Sequence, residues 1–263
     1  MVVTYTIASG KGGTGKTTVS VNLGTMLAHY GKETYIMDTD MGMANIGIVL
    51  GLENVPVTLH EVLAGKASIS EAIYEGPCGV KVVPSGISLQ GFQNADPEHL
   101  HDVMKEIVSR CDILILDAPA GISRDGVIPL AIADEVILVV NPELSSMVDA
   151  LKTKILTELI GGHIKGVILN RATLEKTDVS IHKIEEVLGA RVIGLIPDDP
   201  NVRRASAYKT PIVVKYPNSP ASIEIKRIAA ELAGVEFKRK DLTAGSEEKF
   251  LDRLARSITR RRK

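Results

Sequence analysis

The chain predicts an α/β fold: a doubly wound, mostly parallel sheet with helices on both faces. Three observations carry this. Short continuous apolar runs alternate with helical-period segments along the 263 residues, the pattern of parallel strands buried on both sides. A glycine-rich loop joins the first apolar run to the first helical segment. The polar residues that stand out (Gly10–Thr17, Asp38, Asp40, Asp117, Asn170 and Pro197–Asp199) each follow an apolar run. They therefore fall at the carboxyl ends of strands, where open α/β sheets bind ligands.

The elements justify themselves in order. "VVTYTIAS" is short and rich in β-branched residues, so it reads as a buried strand. In "GKTTVSVNLGTMLAHYG", Val19, Leu23, Met26 and Leu27 recur at helical spacing and Gly31 marks the stop. "ETYIMDTD" is a strand ending at Asp38 and Asp40, followed by a glycine-bearing loop, "MGMANIG". "VTLHEVLAG" reads as a short helix and "GVKVVPSG" as a strand. "DPEHLHDVMKEIVSR" is a helix with Asp96 as cap and Pro97 in its first turn. "CDILILDAPAG" and "DEVILVVNPE" are strands with exit loops, and "LSSMVDALKTKILTELI" is a helix. "IKGVILNR", "VSIHKIEEVLG" and "RVIGLIPDD" continue as strand, helix and strand, and "SPASIEIKRIAAELAG" is the last large helix. The expected organisation is a domain over 1–236, a flexible linker over 237–248 and a basic amphipathic helix over 249–263.

Composition narrows the class. Hydrophobic content of 44% with 24% charged residues suits a water-soluble globular chain. No apolar run approaches the roughly 20 residues that span a bilayer, and "MVVTYTI" lacks the basic start of a signal peptide. Cys78 and Cys111 stand alone, which predicts reduced thiols in a cytoplasm rather than a disulfide or metal site. Net charge is −1, but residues 238–263 carry ten Lys/Arg against four Asp/Glu, or +6, leaving −7 on the rest.

The loop from Gly10 to Thr17 fits G-x-x-x-x-G-K-[ST] between a strand and a helix. Backbone N–H groups along Gly10, Lys11, Gly12, Gly13, Thr14, Gly15, Lys16, Thr17 and Thr18, with the helix dipole, then converge on phosphate oxygens. Lys16 is expected at the β- and γ-phosphates and the Thr17 hydroxyl on Mg²⁺. Lys11 has no place in that scheme. It adds phosphate charge, or it points to another subunit's nucleotide as an arginine finger does; the spacing allows both.

Asp117, after "ILIL", is placed to orient Mg²⁺ through water, as a Walker B acid does. Asp38, nearer its strand, is expected to assist the metal shell, and Asp40, beyond the strand end, to position or deprotonate the attacking water. For the base, a common GTPase carries N-K-x-D, whereas "LNRAT" keeps Asn170 and Arg171 but lacks the acid. "IPDD", with Pro197 and Asp198, offers a proline face and backbone groups to adenine, so ATP is favoured.

Lys11 followed by Gly-Gly-x-Gly-Lys-Thr is the deviant Walker A pattern. With "DTDMGMANIG", "DAPAG", "ILNR" and "IPDDPNVRRASAYKTPIVV", residues 2–235 resemble the MinD/ParA family of P-loop ATPases, on its MinD side. The resemblance implies a slow ATP hydrolase that dimerises face to face on ATP. Lys11 would cross to the partner's phosphates, Asp40 would activate water, Asp117 would be the switch II acid and Asn170 the adenine contact. It also implies a MinC-type or other effector and a task such as division-site placement. Cluster-binding relatives need cysteines that "DAPAGISRDGV" lacks. A ParA-like ATPase that positions cargo on DNA is the alternative, but the acidic body disfavours phosphate-backbone binding.

At about 100° per residue, Phe250, Leu251, Leu254 and Ile258 share one face, and Asp252, Arg253, Arg256 and Arg260 share the other. Such a segment fits an anionic membrane surface. Its rivals are a helix packed on the body or a partner, and a basic nucleic-acid arm. One copy binds weakly, whereas two on a dimer bind far better through effective concentration. The expected location is cytoplasmic and peripheral on the inner face of the cell membrane.

Overall fold

The structure, a computed structural model, describes residues 2–86, 93, 95–96, 99–121, 124–173 and 181–237. Pro97, most of the 237–248 linker and the 249–263 segment with Phe250, Leu251, Leu254 and Ile258 lie outside the described residues.

The sheet is built from β1 (Val3–Ala8), β2 (Thr34–Asp38), β3 (Tyr74–Glu75), β4 (Lys81–Val83), β5 (Ile113–Asp117), β6 (Glu135–Val140), β7 (Ile164–Ala172) and β8 (Val192–Pro197). Their order across the sheet is β3-β4-β2-β5-β1-β6-β7-β8. Every neighbouring pair is parallel except β3 with β4, an antiparallel edge. The sequence reading of a mostly parallel sheet holds; the two-residue β3 is too short for any periodicity to announce it.

Alternate residues of each strand feed opposite cores. On β5, Ile113 and Ile115 pack with α1 (Lys16–His29) and α10 (Pro220–Ala233), while Leu114 and Leu116 pack under α3 (Leu59–Leu63) and α4 (Leu100–Val108). On β6 and β7, Leu138 and Leu169 meet α6 (Leu144–Leu159) and α7 (Ile181–Leu188). Both faces are therefore dry, which explains why the central strands read as mostly apolar runs. At about 25 cal/mol per Å² of apolar surface, this burial is the main force holding helices to sheet.

Among the described residues there are four further α-helices: α2 (Ile46–Leu50), α5 (Arg124–Ile132), α8 (Pro200–Ala207) and α9 (Ile212–Lys215). The sequence reading assigns none of them, and it takes Ile46 and Gly47 as loop. All but α5 are short, and α5 contains Pro129, which obscures its pattern. The expected helix at 96–110 is found as α4, from Leu100. The last large helix starts as expected, with the Ser219 side chain accepting from the Ser222 N–H and Pro220 next to the cap. No helix among the described residues is long and apolar enough to cross a membrane.

Candidate nucleotide-binding site

Strand order places the site. β1 lies between β5 and β6, the point from which connections leave in opposite directions. Its carboxyl end opens into the glycine loop, and α1 begins at Lys16. Two glycines make that turn buildable. Gly15 sits at φ +94, and a Cβ there would stand 2.3 Å from Asn170 Nδ2. A Cβ on Gly10 would lie 2.1 Å from the Asp149 carbonyl carbon, so the loop rests directly on the α6 backbone.

Inside the loop, Lys16 is 8% exposed and Thr14 is 1% exposed, with the buried Thr14 Oγ1 lacking a partner. A polar atom left so costs about 1–3 kcal/mol, and an anion in the loop would not supply a donor but would accept its proton. The N-terminal turn of α1 carries no acid. A helix start without an acid, a buried lysine and an orphaned hydroxyl fit a polyphosphate.

The acids gather beside it. Thr17 Oγ1 donates to Asp117 Oδ2 at 2.6 Å, and Ser20 Oγ donates to Asp117 Oδ1 at 2.8 Å. Asp38 and Asp117 are register partners on β2 and β5, 0% and 1% exposed. Burial first, and then the charge of Asp117, push the Asp38 carboxyl up to about 8. Burial also raises Asp117, against the pull of Lys16, Thr17 and Ser20. Two adjacent buried carboxyls that resist ionisation mark a place for a cation. The donors are oxygens only, as Mg²⁺ prefers. Among the described residues no cluster of three His, Cys, Asp or Glu could hold a metal, so one bound here would depend on Thr17 and phosphate oxygens.

The sequence puts Asp38 in the metal shell; in the structure its oxygens hold the loop that follows β2. Oδ1 accepts the Asp40 N–H at 3.1 Å, and Oδ2 accepts the Asn45 and Ile46 N–H groups at 3.0 Å each. Asp38 thus closes the 38–46 loop on itself and caps α2. Asp40 is half-buried on that loop, and its Oδ1 accepts the Met43 N–H at 2.9 Å.

Asn170, expected at the adenine, lies against the phosphate loop. Its Nδ2 donates to the Thr14 carbonyl at 2.7 Å, which ties β7 to the phosphate loop. Arg171 is exposed with φ +56. Pro197 ends β8 and Asp198 is exposed, while the buried Asp199 caps α8 through the Asn201 N–H at 2.9 Å. Lys11 leaves the loop sideways: its Nζ lies 3.2 Å from Glu143 Oε2 and 3.1 Å from Ser145 Oγ. Gly12 and Gly13 are exposed beside it. Sequence reasoning misses Ser20, Glu143 and Ser145. Ser20 has a signal, three residues past Thr17 on the same helix face; Glu143 and Ser145 have only their position just after a strand.

The structure brings together Lys16, Thr17, Asp117 and Asn170 around one loop, with Asp38 and Asp40 at its side. The chain is similar to known proteins over most of its length. The family described as the CobQ/CobB/MinD/ParA nucleotide binding domain matches residues 5–212. An uncharacterised ATP-binding protein of Methanocaldococcus jannaschii is 47% identical over 262 residues, covering 100% of this chain and 98% of that protein. The cell division ATPase MinD of Pyrococcus furiosus superposes with a TM-score of 0.85 at 35% identity, covering 89% of this chain and 99% of that one. The septum site-determining MinD of Pyrococcus horikoshii, complexed with Mg-ADP, superposes with a TM-score of 0.84 at 34% identity, covering 88% and 96%. Because these matches span the sheet and its strand-end loops rather than the phosphate loop alone, the chain belongs to the MinD/ParA family of P-loop ATPases and is MinD-like within it.

Proposed function

We propose that the chain is an ATP-driven switch that pairs two copies face to face and carries them between solution and the membrane surface. The observation that supports it most is Lys11. It sits at the rim of the phosphate loop with its ammonium on Glu143 and Ser145 of the α6 start, so it faces out of its own cradle. A cation so placed can reach the phosphates of a facing copy.

In this reading ATP fills the loop, Lys16 binds its β- and γ-phosphates, and Lys11 of the partner subunit adds the trans charge. Thr17 and Asp117 would hold Mg²⁺, which supplies neutralisation of phosphate charge. Asp40 takes the proton of the attacking water or orients it, and Asp38 holds the loop from which it does so. Asn170 contacts the adenine, with Arg171, Pro197 and Asp198 at the base rim.

ATP closes the dimer, the dimer presents two copies of the 249–263 segment to anionic lipid, and hydrolysis releases both. The task is spatial positioning such as division-site placement, through an effector of the MinC type, at the inner face of the cell membrane.

Co-sedimentation tests this. Full-length chain and a 1–237 truncation are spun with anionic liposomes or with DNA, each with ADP or a non-hydrolysable ATP analogue. Pelleting that needs lipid, ATP analogue and the tail supports the reading. Pelleting with DNA that ignores truncation would instead favour a DNA-based positioning ATPase.

A further inference from the structure

His60 lies on α3, away from the phosphate loop, and is 1% exposed. Its Nε2 stands 3.1 Å from the carbonyl oxygen of Met41, the residue that follows Asp40. A carbonyl only accepts, so Nε2 carries the hydrogen and donates it.

Four observations make this contact a tether. First, the Met41 side chain is 4% exposed and packs with Leu59, Val62 and Leu63 of α3, so backbone and side chain are anchored to one helix. Second, α3 is itself fixed: Thr58 and Glu61 form a capping box, and the Leu59 N–H donates to the Pro84 carbonyl at 2.9 Å. Third, the loop leaving β4 meets both parts, with Ser85 Oγ donating to the Asp38 carbonyl at 3.1 Å. A Cβ on Gly86 would lie 2.7 Å from His60 Nδ1, so that loop passes against the imidazole edge. Fourth, Asp38 ties the two ends of the 38–46 loop through the Asp40, Asn45 and Ile46 amides, but those bonds leave the middle unanchored. His60 holds the middle.

We infer that His60 is a positioning residue for hydrolysis: it sets where Asp40 stands by pinning Met41. This rests on the role proposed for Asp40, and it extends that role to a residue on a separate helix. Nucleotide binding uses the phosphate loop, whereas His60 bonds the 38–46 loop at Met41. Its loss is therefore felt in turnover and not in affinity.

The test compares His60→Leu, which keeps volume without a donor, with His60→Gln, whose amide can donate. ATP turnover and hydrogen exchange of the Met43, Asn45 and Ile46 amides are both measured. For His60→Leu, kcat is expected to fall about tenfold with KM for ATP changed less than about twofold. The three amides are expected to exchange about fivefold faster or more. His60→Gln restores kcat to about a third of wild type or better and restores protection. Gly86→Ala, whose methyl would fall 2.7 Å from His60 Nδ1 and so displace the ring without removing its donor, moves both readouts the same way by less; it keeps the test standing if His60→Leu does not fold.

Unchanged exchange and turnover in a folded His60→Leu overturn the inference. So does a kcat loss that glutamine does not rescue, or a KM that rises in step. A wild-type chain that binds ATP without turning it over overturns the hydrolytic reading itself, and this one with it. Normal exchange in an active His60→Leu overturns only the tether.

Discussion

Lys11 Nζ lies 3.2 Å from Glu143 Oε2, joining the phosphate loop to the start of α6 within one chain. The two side chains are 35% and 60% exposed, so the pair is solvent-screened and worth about 0–1 kcal/mol. That is small enough for a facing nucleotide to break. If Lys11 serves in trans, this contact competes with pairing. Glu143→Gln should then lower the analogue concentration needed for dimerisation, by up to about fivefold. Sedimentation velocity across a titration of non-hydrolysable ATP with Mg²⁺ reads the midpoint. An unchanged or higher midpoint would show that the pair does not restrain Lys11.

Thr17 Oγ1 donates to Asp117 Oδ2 at 2.6 Å, and Asp117 keeps Ser20 as a second donor. Thr17→Ala should therefore cost the fold only about 1 kcal/mol, the typical net value of one hydrogen bond. Its effect on the metal should be larger. Calorimetric titration of ATP with and without Mg²⁺ is expected to show the magnesium-dependent part of the affinity reduced about tenfold or more. Equal magnesium sensitivity in variant and wild type would remove Thr17 from the metal site.

The Asp38 carboxyl is pushed up to about 8 by burial and by the Asp117 charge. The unfolded chain gives up that proton near the ordinary value of 3.8. Between those values the folded state holds more protons, so stability falls as pH rises. The melting temperature of nucleotide-free protein should drop between about pH 6.5 and 8, and Asp117→Asn should flatten the drop by removing the neighbouring charge. Scanning calorimetry at matched ionic strength measures it. A melting temperature that climbs over this window contradicts the pairing of these acids.

Gly15→Ala should separate fold from binding. At φ +94 an L side chain costs about 1–2 kcal/mol, which a core of this extent tolerates. The new methyl would fall 2.3 Å from Asn170 Nδ2, against the amide that clamps the Thr14 carbonyl. Far-UV circular dichroism should stay native while fluorescent ATP-analogue affinity falls at least about tenfold. Native affinity would mean that Asn170 can withdraw without moving the loop.

Much of the fold was legible before any coordinates. Strands buried on both faces carry few charged or strongly polar residues, so β5, β6, β7 and β8 announced themselves as apolar runs, and β1 and β2 as short segments rich in β-branched and apolar residues. The glycine loop was legible for a similar reason: few residue types can turn a strand into a helix while aiming amides at phosphate. Short helices were harder. α8 has a usable signal in Asp199 and Pro200, a cap and a first-turn proline, yet its polar face hides the helical period. α2 depends on Asp38, eight residues before its first amide partner Ile46, and a local window does not join them.

The sequence by itself determined which chemical groups stand at the strand ends, because residue type and the strand–loop–helix order are local properties. What each group touches was decided only by tertiary structure. Asp38 meets the Asn45 and Ile46 amides only once β2 lies beside β5 and the 38–46 loop folds back. Asn170 meets Thr14, 156 residues earlier, only once β7 is in place. Lys11 finds Glu143 across 132 residues. Hydrogen bonds act over about 3 Å in space and are indifferent to separation along the chain, so partners this far apart meet only when the sheet has set its strand order.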